Sequence, residues 1–170
     1  GVICRQWGKS KIITLEAVVL ALATRLSEEH TSTMISAGQN QADDLTTKSI
    51  DWCDRFDKIS REVAGVSIYR QAPSKSRIHL LNGGEVRSLP ANPRTVPGGT
   101  GDVFWDEASK TPHDAAIWEA CFPYISSRKG YKFRMTGTPW GDSGVFFEAI
   151  HRKPGWSIHK LDLRTAIAEG

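Results

Sequence analysis

Cysteine is scarce in this sequence. Cys4, Cys53 and Cys121 are odd in number and far apart, which argues against a disulfide framework and against a CxxC zinc site, and for a reducing, cytoplasmic setting. The five histidines, His30, His79, His113, His151 and His159, show no HExxH or other paired spacing, so they read as surface or structural residues rather than metal ligands. No apolar run approaches the ~20 residues that cross a bilayer, and none resembles a signal peptide; no membrane partner is expected. Charge of one sign is missing too: 22 basic residues against 19 acidic ones leave +3, a bias that permits a nucleic-acid partner without arguing for one. Repeats and low-complexity segments are absent.

What is present is the material of one domain. The length of 170 residues and the apolar fraction of 39% suit a single globular unit with a real core. The chain has no initiator Met and opens inside an apolar run, Val2-Ile3-Cys4. A natural domain rarely begins in a central strand, so the chain is expected to be a piece of a longer protein.

Periodicity gives an alternation of strands and helices. Val2 to Cys4 reads as the end of a strand, and Arg5 to Ser10 as a loop. Lys11 to Leu26 follows as a helix with Ile12, Leu15, Val19, Leu22 and Leu26 inward. Thr31 to Ala37 is a second buried strand, and a helix from Asn40 or Gln41 runs to about Phe56 with Leu45, Ile50 and Phe56 inward. Tyr69 falls on a possible short strand. Arg77 to Leu81 and Glu85 to Leu89 flank Asn82-Gly83-Gly84, a hairpin signal. Pro90 to Gly101 is a Pro/Gly-rich loop, and Asp102 to Asp106 a strand. Thr111 to Tyr124 reads as a helix, with Thr111 as N-cap, Pro112 at its first position, and Ala116, Trp118 and Phe122 buried. Lys132 to Met135 is a strand, Gly144 to Arg152 a short helix and Ser157 to Leu163 a last strand. The class is therefore α/β: a mostly parallel sheet with helices on both faces, plus a β-hairpin insertion.

Two stretches carry chemistry. Val103-Phe104-Trp105 is an apolar run of the kind a buried parallel strand shows, and it ends in Asp106-Glu107, at the carboxyl edge where open α/β sheets bind ligands. Roughly one hundred residues earlier lies Arg5-Gln6-Trp7-Gly8-Lys9-Ser10, a loop that wraps phosphate with backbone N–H groups at a helix N-terminus. It departs from G-x-x-x-x-G-K-S/T: the first glycine would fall at Ile3, while Gly8, Lys9 and Ser10 are retained. In this reading Lys9 and Arg5 hold β- and γ-phosphates, Arg5 with a guanidinium fork. Gly8 lets the backbone approach, Ser10 and Asp106 hold Mg2+, and Glu107 polarises the attacking water. Each stretch alone has a bland explanation: a chance Gly-Lys-Ser, or a strand ending in solvated acids. Both after predicted strands and before predicted helices, they sit where phosphoryl transfer needs them.

Five motifs in order then resemble a family. Cys4-Arg5-Gln6-Trp7-Gly8-Lys9-Ser10, Ser36-Ala37-Gly38-Gln39-Asn40-Gln41-Ala42, Ser88-Leu89-Pro90-Ala91, Phe104-Trp105-Asp106-Glu107-Ala108 and Thr136-Gly137-Thr138-Pro139 are similar to the ATPase domain of phage and prophage large terminases, the motors that package DNA. The resemblance covers nearly the whole chain, and in that family the loop often lacks the first glycine. It implies a P-loop NTPase-type, ASCE-like fold and the cofactors ATP and Mg2+. It also implies hydrolysis that drives double-stranded DNA into a procapsid in the host cytoplasm. Arg5, Gln6, Trp7, Gly8, Lys9 and Ser10 would bind nucleotide; Glu107, Lys9 and Arg5 would be catalytic; Ser10 and Asp106 would hold the metal. Thr136, Gly137 and Thr138 would couple hydrolysis to DNA movement. Full-length members would work as a homo-oligomeric ring with a portal and a small terminase subunit, whereas the isolated chain is expected to be a monomer and a weak ATPase.

Two departures stand out. The family's Arg-Gly pair before the Asp-Glu strand is here Pro97-Gly98-Gly99, which leaves Arg94 as the substitute arginine finger. The C-terminal RNase H-like nuclease domain and the upstream adenine-binding segment also lie outside this sequence, so nuclease activity is not expected of it. The alternative is a core ATPase domain of a nucleic-acid helicase, against which Asp106-Glu107-Ala108-Ser109 lacks the closing His or Asp of DExH/DExD sets. A non-catalytic nucleotide-binding or interaction domain is disfavoured by the presence of both Lys9 and Glu107. Lys48, Arg55, Lys58 and Arg61, or Arg128, Lys129 and Lys132, read as solvated surface, so DNA contact follows from the resemblance and not from charge.

Overall fold

The structure, a computed structural model, describes residues 2–3, 8–25, 28–96, 100–126 and 129–161. Its elements are β1 (Val2–Ile3), α1 (Lys9–Leu22), β2 (His30–Ser36), α2 (Gln39–Ala64), β3 (Arg77–His79), β4 (Gly84–Pro90), β5 (Val103–Trp105), α3 (Asp114–Ser126), β6 (Phe133–Met135), α4 (Val145–His151) and β7 (Lys160–Leu161). Five strands form one sheet in the order β3-β4-β2-β5-β6, and β1 pairs with β7 in a separate parallel ribbon. The pairs β4–β2, β2–β5 and β5–β6 are parallel. β3, on the edge, runs antiparallel to β4. The second arm of the hairpin around Gly83 is thus a full member of the parallel sheet, and the first arm is the addition.

The sheet is covered on both faces, and strand alternation sorts the core into two. Met34, Val86 and Phe104 point to one side, where they meet Ile13, Ala17, Val18 and Ala21 of α1 and Leu45 and Cys53 of α2. Their chain neighbours Ile35, Val103 and Trp105 point to the other, with Met135, and pack on Ile117, Cys121 and Tyr124 of α3 and Phe146 and Ala149 of α4. Among the described residues no helix is long and apolar enough to cross a membrane.

The helices begin, end and face differently from the sequence expectation. α1 starts at Lys9 and buries Ile13, Thr14, Ala17, Val18 and Ala21; Ile12 and Val19, expected inward, are 54% and 44% exposed, and Leu26 lies outside the described residues. Its sequence is apolar nearly all round, so periodicity does not select a face. Small residues take the sheet side because the approach is close: a Cβ at Gly84 would stand 2.1 Å from the Ala21 carbonyl oxygen. α2 continues past Phe56 to Ala64, where Gly65 in the left-handed conformation (φ 68) caps it. Asp57 then pins the chain that leaves it, accepting from Arg61 Nε (2.6 Å), Ser67 Oγ (2.7 Å) and the Ile68 N–H (2.8 Å). Two of the basic residues expected on this surface are neutralised within the helix, Lys48 by Asp44 and Arg61 by Asp57.

The helix expected from Thr111 starts at Asp114, after a 3-10 turn at Ala108–Lys110. Thr111 is no cap: its hydroxyl accepts from Trp105 Nε1 at 3.0 Å and donates to the Glu107 carbonyl at 3.4 Å. The buried face is Ile117, Cys121 and Tyr124 rather than Ala116, Trp118 and Phe122; Phe122 is exposed and Trp118 packs at the margin. Tyr124 ties the loop after β4 to the sheet, accepting from buried Arg87 at 2.6 Å and donating to the Val96 carbonyl.

The closeness of α1 to β4 gives a stability test. Gly84→Ala is expected to cost about 1–3 kcal/mol, as overpacking does, read as a lower denaturation midpoint at unchanged slope; an unchanged midpoint would mean that helix and strand can part freely.

Candidate nucleotide site

Strand register assembles the site. Trp105 pairs with both Ile35 and Met135, so the residues after them leave neighbouring strands side by side at the carboxyl edge of the sheet. The ladder runs one step further: the Asp106 N–H donates to the Ile35 carbonyl (2.8 Å), Thr136 N–H to the Trp105 carbonyl (2.9 Å) and Ala108 N–H to the Thr136 carbonyl (3.0 Å). Opposite them α1 begins. Gly8 stands in the left-handed conformation (φ 77, ψ 16) that glycine adopts without penalty, and its carbonyl accepts from Lys11 and Ile12 to start the helix.

Six side chains from three segments, the start of α1 and the ends of β5 and β6, meet there. Ser10 Oγ donates to Asp106 Oδ2 at 2.8 Å, and Thr136 Oγ1 donates to Asp106 Oδ1 at 2.6 Å. The Glu107 N–H reaches the same Oδ1 at 3.1 Å. Lys9 Nζ lies 3.0 Å from Glu107 Oε1 and 3.4 Å from Thr138 Oγ1. Ser109 Oγ fixes the next turn on the Thr138 carbonyl at 2.6 Å. Lys9 is only 7% exposed; an ammonium taken this far from water needs a counter-charge, and Glu107 supplies it.

Glu107 is held in an unusual way. Its backbone sits at φ 51, ψ 39, a left-handed conformation that costs a residue other than glycine about 1–3 kcal/mol and that clusters at functional sites. Burial pushes its carboxyl pKa up, but the hydrogen bond and charge of Lys9, and then the nearby charge of Lys110, outweigh burial and hold it below the ordinary glutamate value. Lys110 Nζ lies 3.3 Å from Glu107 Oε2.

The structure therefore brings together Gly8, Lys9, Ser10, Asp106, Glu107, Thr136, Gly137 and Thr138. Arg5, Gln6 and Trp7 lie outside the described residues. Arg94 stands exposed on the loop after β4, with its N–H on Asn92 Oδ1; among the described residues no contact ties it to Lys9, Asp106 or Glu107. Gln39 turns to Asp43 of its own helix, at 2.6 Å. The sequence reading missed Lys110. A lysine three residues after the acid was the available signal, because 3-10 geometry brings positions i and i+3 onto one side.

The oxygen set suits a hard cation. Ser10 Oγ and Asp106 Oδ2 form a hydroxyl–carboxylate pair, and among the described residues no cluster of three or more His, Cys, Asp or Glu side chains could build a complete metal cage. Magnesium in nucleotide sites is held by one or two protein oxygens together with phosphates and waters.

The Lys9–Glu107 pair sets a pH dependence. Its contribution to stability is complete above the unfolded glutamate pKa, about 4.3, and is lost as pH falls through the lower folded value. In a carbon-13 carboxyl titration, Glu107 is expected to titrate below the ordinary glutamate value in the parent and to move upward in Lys9→Met. An unmoved Glu107 would show that Lys9 is not its main partner.

No curated protein matches this chain by sequence. Its fold is shared by the ATPase domain of the Thermus phage P74-26 large terminase, with a TM-score of 0.69 and 23% identity over 87% of this chain and 62% of that one. It is shared also by the HK97 bacteriophage large terminase, with a TM-score of 0.62 and 16% identity over 86% of this chain and 30% of that one. The chain thus spans about three-fifths of the first and under a third of the second. The model of the family described as terminase large subunit, T4likevirus-type, N-terminal, matches residues 2–153; with the P-loop-type fold and the cluster around Asp106, this chain belongs to that terminase large-subunit family.

Proposed function

We propose that this chain is the ATP-hydrolysing motor domain of its terminase, and that hydrolysis drives double-stranded DNA into a procapsid. The observation that carries the reading is the convergence of Lys9, Ser10, Asp106 and Glu107, with Thr136 and Thr138 beside them. In this reading the N-terminal turn of α1 receives the phosphates, with Lys9, and Arg5 four residues earlier in the sequence, on the β- and γ-oxygens. Ser10 and Asp106 hold Mg2+, which when bound neutralises charge on the phosphates.

Glu107 accepts a hydrogen bond from the attacking water. The water oxygen bonds to the γ-phosphorus, and the bond to the bridging oxygen breaks with its electron pair going to ADP. The water's proton passes to Glu107 and on to solvent. Lys9 meets the charge that develops on the transferred group. An arginine from a neighbouring protomer in a ring, with Arg94 as this chain's candidate, would add about 10³–10⁵ in rate, so the isolated chain is expected to be slow. Loss of the γ-phosphate would be felt at Thr138 through Lys9 and at Thr136 through Asp106, and passed along β6 to the DNA-gripping part of the assembly. The portal and the small terminase subunit are the expected partners there.

Titration with a fluorescent ATP analogue and Mg2+ tests the reading. The parent is expected to bind, and Lys9→Ala to lose most of the affinity. Glu107→Gln is expected to keep binding while turnover drops by about 10²–10⁴, the usual contribution of a general base. Equal binding by the parent and Lys9→Ala would remove Lys9 from the phosphate site and overturn the assignment.

A further inference from the structure

One charged group at this site has no part in the motif chemistry. Lys110 closes the 3-10 turn that Glu107 caps, its N–H donating to the Glu107 carbonyl at 3.0 Å. The turn brings its ammonium to 3.3 Å from Glu107 Oε2, while Lys9 takes Oε1 at 3.0 Å. The same Lys110 Nζ lies 5.8 Å from the ring centroid of Trp140, which is 68% exposed and follows Thr138 and Pro139 in the chain. The two carboxylate oxygens thus have different lysines, from different elements.

We propose that Lys110 is a positioning residue for hydrolysis: it clamps Glu107 Oε2 so that Oε1 stays aimed at the attacking water when Lys9 engages phosphate, and Trp140 steadies Lys110 by a cation–π contact. The proposal rests on the nucleotide-hydrolysis reading above.

The reasoning is geometric. Lys9 faces Glu107 Oε1 and Thr138 Oγ1, so Oε1 is the oxygen on the phosphate side. A lysine that turns to phosphate releases that oxygen. An unclamped carboxylate would rotate after it, since the attraction of the ammonium persists over a few ångströms. A second cation on Oε2 opposes that rotation and leaves Oε1 free to accept from water. The turn itself needs only the Lys110 backbone N–H, which any residue but proline supplies, so the side chain is available for this task. The ring face of Trp140 contributes a modest attraction of the kind exposed cation–π pairs give, enough to bias where a flexible lysine rests.

The test compares kcat, KM and ATP-analogue binding in the parent, Lys110→Met, Lys110→Arg and Trp140→Ala, each with Mg2+. Lys110→Met is expected to lower kcat by about tenfold to a hundredfold, the scale of a misplaced catalytic group, with KM and analogue affinity unchanged. Lys110→Arg should recover most of the loss, and Trp140→Ala should fall between. Circular dichroism and melting curves check that each variant is folded; should Lys110→Met not fold, the Lys110→Arg and Trp140→Ala pair decides, with near-parent rate expected in the first and a reduced kcat at unchanged KM in the second. Parent-like kcat in Lys110→Met, or a loss of affinity and kcat together that arginine does not restore, overturns the proposal and leaves the hydrolysis reading standing. A parent no faster than Glu107→Gln overturns the hydrolysis reading itself, and this proposal with it.

Discussion

The carboxylate of Asp106 is the tie on which the site depends. One oxygen takes the Ser10 hydroxyl from the start of α1; the other takes the Thr136 hydroxyl from the end of β6 and the N–H of Glu107. Three elements distant in sequence are thereby fixed within a few ångströms of one another. Asp106 itself is placed by backbone bonds that extend the parallel ladder one residue beyond β5. The precision of the site is therefore the precision of the sheet register, a rigid reference of the sort that functional constellations need.

Around that tie the fold divides its labour by face. α1 and α2 lie on one side of the sheet with a core rich in small and aliphatic residues, which lets α1 come close to β4. α3 and α4 lie on the other, with a core built on Trp105, Tyr124, Met135 and Phe146. The helix α1, whose first turn carries Lys9 and Ser10, belongs to the first layer and the 3-10 turn after Glu107 contacts the second, where α4 packs against it. Glu107 stands at the junction in a strained left-handed backbone that the surrounding bonds, Thr111 to its carbonyl and its own N–H to Asp106, over-determine.

Much of this was legible in the sequence because the signals were local and redundant. Val103-Phe104-Trp105 running into two acids announced a buried strand, Gly8-Lys9-Ser10 announced a helix start, and the fold brings the two together. Helix faces were less legible. α1 offers apolar side chains in nearly every direction, and the choice of Ala17 and Ala21 for the sheet side follows from a steric limit at Gly84 that belongs to a strand some sixty residues later. α3 shifted because Thr111, a plausible cap, is occupied by the indole N–H of Trp105. Lys110 escaped notice because its importance lies in a turn type rather than in a motif, and Trp140 because only the folded chain brings its ring to that lysine.

The pairing of Lys9 with Glu107 also has a consequence for selectivity. Lys9 is already matched to an internal anion at 3.0 Å, in a setting where it is almost removed from solvent. Any ligand that takes Lys9 must first outbid a carboxylate that is covalently part of the protein and so is always at high local concentration. Chloride, or a single weak acid, offers no more than what it would displace. Only an anion of several charges, spread over oxygens that can reach the helix N-terminus at the same time, gains on the exchange. On the proposed reading, Glu107 is thus an internal competitor that the phosphates must displace from Lys9.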